Sequence, residues 1–201
     1  FEIPTDDECG ILFRRAICLL VELTSERDFS DDSPTTVPDP NGHGTHVTGT
    51  VIGDTIRSDG TLNGTAYGVA PGASLLHAKV SNSAGTASLD DLYLALEWAV
   101  SREVDVVSIS LGGDTYATGF IEPIQNAKAA GVVVVASSGN AGPGTAMSPA
   151  NVYDTFSVGA STESGAIASF SSGKRISTAR AWGESAPRSW PDEYLCPRTR
   201  Q

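Results

Sequence analysis

Apolar positions along this chain change period several times, and each change predicts an element. Leu89, Leu92, Leu96 and Ala99 fall at helical spacing behind Ser88, with Asp90 and Asp91 in the first turn. Ser88 is a good N-cap and the two carboxylates suit the positive helix end, so a helix is predicted over 89–102. Val104 to Leu111 then reads VDVVSISL, a β-branched run closed by Gly112-Gly113. That is the pattern of a parallel strand buried on both faces. Phe120 to Ala130 predicts a second helix, stopped by Gly131. Val132 to Ala136 predicts a second buried strand, closed by SSGNAGPG, and Thr155 to Ala160 a third. Upstream, Ala73 to Val80 has strand character behind the turn GVAPG. Residues 28–42, 54–67 and 81–87 are polar and turn-rich, and predict loops. The stretch HGTHVTGTVIG at 43–53 is ambiguous by periodicity, and Gly42, Gly44 and Gly49 argue against a helix start there.

Alternating strands and helices predict an α/β fold: a doubly wound parallel sheet with helices on both faces. Ligands of such sheets gather at the carboxyl ends of the strands. The loops Ser110-Leu111-Gly112-Gly113 and Ser138-Gly139-Asn140 fall there. No internal repeat or linker marks a second domain.

Composition narrows the class. The 201 residues are 40% hydrophobic and 18% charged, which excludes a disordered chain. The apolar run Ile11 to Val21 is interrupted by Arg14 and Arg15, and it falls short of the roughly 18 to 20 residues of a membrane span. No small-residue cleavage site follows an apolar stretch, so no signal peptide is expected. The net charge is −11, and 15 of the 24 acidic residues lie between Asp28 and Gly173. Such a surface repels phosphate backbones and excludes nucleic-acid binding. The tail is different: six of the 13 basic residues fall in 174–201. Cys9, Cys18 and Cys196 are an odd number with no close pair, which argues against a disulfide framework or a zinc site.

Three places can carry chemistry. His43 and His46 are spaced as a metal pair could be, but no third ligand cluster is nearby. A general base and a hydrogen-bonded loop histidine fit His43 equally well on chemistry alone. Asn140, at the end of a buried strand, can aim its amide at a developing oxyanion, or serve as a turn residue. Ser110 to Gly113 can pair with an extended peptide, or simply close the strand.

Taken together, these segments resemble the subtilisin-like serine proteases. NGHGTHVTGT at 41–50 is similar to the family's histidine signature, and GVAPGA at 68–73 to the segment that follows it. SISLGG at 108–113 resembles the strand that holds the substrate backbone, and ASSGN at 136–140 the strand and loop of the oxyanion Asn. SPAN at 148–151, FSVGA at 156–160 and FSS at 170–172 continue in order. The resemblance covers residues 26–173. It implies a subtilisin-like peptidase core there, truncated, with 1–25 and 174–201 unmatched.

The resemblance implies a serine-type endopeptidase working through an acyl-enzyme. His43 would be its base and Asn140 its oxyanion donor. Ser110, Leu111, Gly112 and Gly113 would bind the substrate backbone. Ser137, Ser138 and Gly139 would wall the primary specificity pocket, Pro149 would precede a cis peptide bond, and His46 would be structural. Polypeptide substrates or peptide inhibitors are the implied partners of a secreted monomer, with no membrane and no nucleic acid. No cofactor is identifiable, although calcium is common in the family. Two family features are missing. The triad Asp should stand roughly 30 residues before the His and the Ser roughly 160 after it. Asp7 is the nearest stand-in for the first, and nothing near the chain end reads as the second. Gly144-Thr145-Ala146-Met147-Ser148-Pro149 mimics the nucleophile motif with Ala in place of Ser, but fits the loop after the oxyanion Asn instead. A non-catalytic peptide-binding pseudo-protease is therefore the alternative, with a His-pair metalloprotein as the third reading.

Overall fold

In chain order the elements are β1 (Arg15–Cys18), β2 (Glu26–Asp28), α1 (His43–Ile52), β3 (Ser74–Lys79), α2 (Leu89–Ser101), β4 (Val106–Ile109), α3 (Ile121–Ala129), β5 (Val133–Ser137) and β6 (Phe156–Val158), with a 3-10 turn at Thr118–Phe120 leading into α3. They come from a computed structural model that describes residues 15–18, 26–29, 39, 41–53, 68–70, 73–82, 84–113 and 116–173. The strands form one sheet in the order β2-β3-β1-β4-β5-β6, and every neighbouring pair is parallel. This is the parallel α/β sheet that the strand and helix pattern predicts.

Local chemistry accounts for most elements. The Ser88 hydroxyl accepts from the Asp91 amide at 3.1 Å and starts α2. Leu92, Ala95, Leu96 and Ala99 form the buried stripe of that helix. Ile124 and Ala127 do the same for α3, and both helices pack into one core with Val107, Ile109, Val134 and Ala136. Tyr93 meets Phe120 edge-on, with ring centroids 4.8 Å apart, and so ties α2 to the start of α3.

Three elements depart from the sequence pattern, the shortest being the edge strand β2, which ends on Asp28 inside the predicted 28–42 loop. Residues 43–52 are a helix despite their glycines. The Asp39 carboxylate supplies what local propensity lacks, accepting from the Gly42 amide at 2.9 Å, the Thr45 amide at 2.8 Å and the Thr45 hydroxyl at 2.7 Å. Those amides lack intrahelical partners, so one carboxylate helps to satisfy and charges the helix start. The third departure is β1. It lies within the run Ile11 to Val21, whose only reading by hydropathy is a span too short for a membrane, yet it sits between β3 and β4 at the middle of the sheet.

Candidate active site

The β4–β5 register ends at Ile109 opposite Ala136. Beyond it, the Ser110–Gly112 backbone leaves the sheet on one side, while Ser137 to Asn140 close β5 on the other. Between them opens a cleft of ≈ 500 Å³, lined by His43, Ser110, Leu111, Gly112, Ser137, Gly139 and Asn140 among others. These are seven of the nine residues picked out by sequence. The remaining two support the walls. Gly113 exchanges two backbone hydrogen bonds with Ser148, each 3.0 Å. Ser138 is buried, with its amide on Val158 O and its hydroxyl donating to Ser172 O, both at 2.8 Å.

α1 carries His43 to the cleft at its first turn. Its Nε2 lies 3.0 Å from the Ser110 carbonyl oxygen. A carbonyl only accepts, so this nitrogen donates and holds the ring proton. Among the described residues, His43 makes no hydrogen bond to a carboxylate. The turn residue Asn140 is exposed, and the loop around it is strapped to residues 170–173. Ser172 N donates to Gly139 O at 2.9 Å, the Ser172 hydroxyl accepts from Ala141 N at 3.0 Å, and Gly142 N reaches Phe170 O at 2.9 Å. The cis bond is Ser148–Pro149, so it precedes Pro149 where the sequence reading has it following, because the tertiary amide of an X-Pro bond is the one that tolerates cis.

Behind the helix start lies a polar cluster that sequence reading passes over. Burial works to raise the Asp39 carboxyl's pKa. The hydrogen bonds from the Thr45 amide and hydroxyl and from the Gly42 amide, together with nearby His77, outweigh burial and hold the carboxyl below its ordinary value. His77 on β3 is buried, and that burial pulls its imidazole down to about 4. Asp39 and Asp28 pull it back up, and Lys79 adds to the fall. Lys79 and Asp28 form a buried ion pair at 2.8 Å between β3 and β2.

The subtilase family model matches residues 22–187. This chain belongs to the subtilase family. Its relatives include subtilisin DY of Bacillus licheniformis, 39% identical over 67% of this chain and 48% of the relative. Subtilisin E of Bacillus subtilis strain 168 is 40% identical over 67% of this chain and 35% of its own length. The chain thus spans half or less of the curated relatives it matches. Among solved structures, sphericase is similar with a TM-score of 0.66 and 28% identity, over 79% of this chain and 59% of that one. A mutant of the protease domain of PatA shares the fold, with a TM-score of 0.65 and 19% identity over 81% of this chain and 63% of that one.

For this subtilase, parallel topology says where a triad carboxylate on the central strand would have to stand. The cleft lies at the carboxyl ends of β4 and β5, so a partner for His43 contributed by β1 must follow Cys18 in the chain. Asp7 precedes β1 and lies outside the described residues. The first carboxylate after Cys18 is Glu22, also outside them. Residues 54–67, predicted as a loop, lie outside them too. Among the described residues no group of three or more His, Cys, Asp or Glu is placed to hold a metal. Both His43 and His46 are exposed on α1. Asn41, Ser81, Gly85 and Met147 also line the cleft and are absent from the sequence-predicted set. Met147 was visible only as part of the rejected nucleophile mimic.

Proposed function

We propose that this cleft is the peptide-binding site of a serine-type endopeptidase, and that this chain binds extended polypeptide without turning it over. The observation that carries the reading is convergence: a histidine, a free strand end and an exposed Asn from three separate elements line one cleft. Ser110 to Gly112 present backbone groups beyond the sheet register, ready to pair with an extended peptide. The Ser110 carbonyl has a second lone pair, so it can accept a peptide N–H beside the His43 contact. Ser137 to Gly139 wall the neighbouring pocket and Gly113 holds the opposite wall.

In peptide hydrolysis, His43 would take the proton of an attacking hydroxyl and Asn140 would donate to the tetrahedral oxyanion. For that role His43 must release the Ser110 carbonyl and present an unprotonated Nε2. No described serine hydroxyl hydrogen-bonds to His43, and an acyl-enzyme requires such a nucleophile. We assign residues 26–173 to the peptidase core, with β1 joining the same sheet from the preceding segment and the family match running on to residue 187. Secretion, a monomeric state and polypeptide substrates belong to the same proposal, which the resemblance to the subtilisins supports. Among the described residues no helix is long and apolar enough to cross a membrane.

The test combines binding with turnover. Peptide titration of ¹⁵N-labelled protein should shift the Ser110, Leu111 and Gly112 amides. A fluorogenic casein assay and a serine-directed phosphonate should both be silent. Unmoved amides would overturn the peptide-binding reading. Turnover with phosphonate labelling would instead show that this chain holds a working nucleophile.

A further inference from the structure

The segment Ser110–Gly113 leaves the sheet after the Ile109–Ala136 pair, so the β4–β5 ladder no longer holds it. A strand end without a ladder must lose backbone freedom before it can pair with a peptide. Here both of its ends are fixed by other elements. Gly113 exchanges two backbone hydrogen bonds with Ser148, each 3.0 Å. Ser148 is held in turn, because its hydroxyl accepts from Ala117 N at 2.8 Å and donates to Asn151 Oδ1 at 2.6 Å. At the other end the Ser110 carbonyl accepts from His43 Nε2 at 3.0 Å. Leu111 and the exposed Gly112 lie between these two anchors.

The histidine ring is itself held from behind. His43 opens α1 directly after Gly42, whose amide donates to Asp39 Oδ1 at 2.9 Å. Asp39 Oδ2 takes the Thr45 amide and hydroxyl at 2.8 and 2.7 Å. The backbone beneath the ring is therefore fixed, and the ring reaches a carbonyl 67 residues further along the chain. Its Nε2 carries the proton that Ser110 accepts. A nitrogen in that state donates and cannot also receive a proton from a hydroxyl.

We propose that His43 serves in this chain as a positioning residue: its Nε2 proton pins the Ser110 carbonyl and so holds Ser110–Gly112 ready to pair with an extended peptide. The inference rests on the peptide-binding reading of the cleft. It needs no nucleophile and no proton transfer. Its physics is preorganisation: a segment already held in its pairing geometry loses less freedom when the peptide docks, and the difference appears as affinity. The Ser110 oxygen keeps its second lone pair for the peptide.

The test separates a hydrogen-bond donor from a base. The full chain and two variants, labelled with ¹³C and ¹⁵N, are titrated with acetyl-tetraalanine amide. His43→Ala removes the donor. His43→Gln puts an amide N–H in the place of Nε2 but has no basic nitrogen. His43→Ala should weaken peptide binding about fivefold, the scale of one neutral hydrogen bond, and His43→Gln should stay within about twofold of the parent. Without peptide, the Ser110 carbonyl ¹³C resonance should move in His43→Ala and return in His43→Gln, a rescue that general loosening of α1 would not give. His43→Gln binding as weakly as His43→Ala, or His43→Ala binding like the parent, with the Ser110–Gly112 amides still shifting, would overturn the positioning role and leave the groove intact. Tighter binding by His43→Ala would overturn it as well, and make the contact a block on the carbonyl. Amides that move in none of the three proteins would overturn both readings.

Discussion

The two flanks of the sheet reverse the usual inside-outside rule in opposite senses. On the β3 flank polar groups are inside: His77 and Lys79 are 1% and 5% exposed. On the β6 flank apolar groups are outside: Phe156 and Val158 are 56% and 53% exposed, with Ile167 and Phe170 also open in the loop that follows. Both strands pair in parallel, so backbone hydrogen bonding does not explain the difference. Cover does. β3 lies between β2 and β1, and all of its residues except Ser74 are buried. β6 is the last strand in the described sheet and buries none of its three. Charge survives inside because its partner is folded in with it, and exposed apolar strand residues mark a face prone to association.

The largest break in this contrast comes from the ion pair. Lys79→Met leaves Asp28 buried without its cation and should cost about 3–5 kcal/mol in urea unfolding. Adding Asp28→Leu should recover most of that loss, because two apolar groups replace two charges. A double variant no more stable than the single one would mean that the pair's worth lies in its geometry.

Acid attacks the same flank. Unfolded His77 binds its proton near 6.5, whereas the folded residue does so near 4. Between those values the unfolded state binds more protons, so stability falls as pH falls, by on the order of 3 kcal/mol across the window. The Asp39 carboxyl, held low, loses its contribution only further down, as pH falls through its own depressed pKa. Replacing His77 by Leu should flatten the 4 to 6.5 region of a pH-dependent urea series. A slope that persists would assign the proton uptake elsewhere.

The smallest effect on stability belongs to β6. Phe156→Ser with Val158→Thr should change unfolding free energy by less than about 0.5 kcal/mol, as expected of surface positions. The same pair should reduce self-association in sedimentation velocity. A loss of several kcal/mol would mean that these side chains are covered in solution.

The difference between the flanks also tracks what could be read in advance. Strands β4 and β5 and helices α2 and α3 are legible because their signals are local: β-branched runs, a serine cap, an apolar stripe, a closing glycine. The site was legible as a set of segments, since parallel topology sends the residues after β4 and β5 to one end of the sheet. His43 and Asn140 were each chemically ambiguous alone, and only their meeting in one cleft favours the functional reading. Met147 was missed because nothing near it in sequence says that it lines the cleft.

The sequence by itself determined the alternation of strands and helices, the parallel class of the sheet, and the motifs that mark a subtilase. Tertiary structure decided the rest. It made a helix of a glycine-rich stretch by bringing one carboxylate, Asp39, to its first turn. It placed β1 at the centre of the sheet, and it buried Lys79 beside a partner 51 residues away. Periodicity and propensity report on neighbours within a few residues, whereas burial of charge, helix capping from a distant loop and the lining of a cleft depend on partners that only the folded chain brings together.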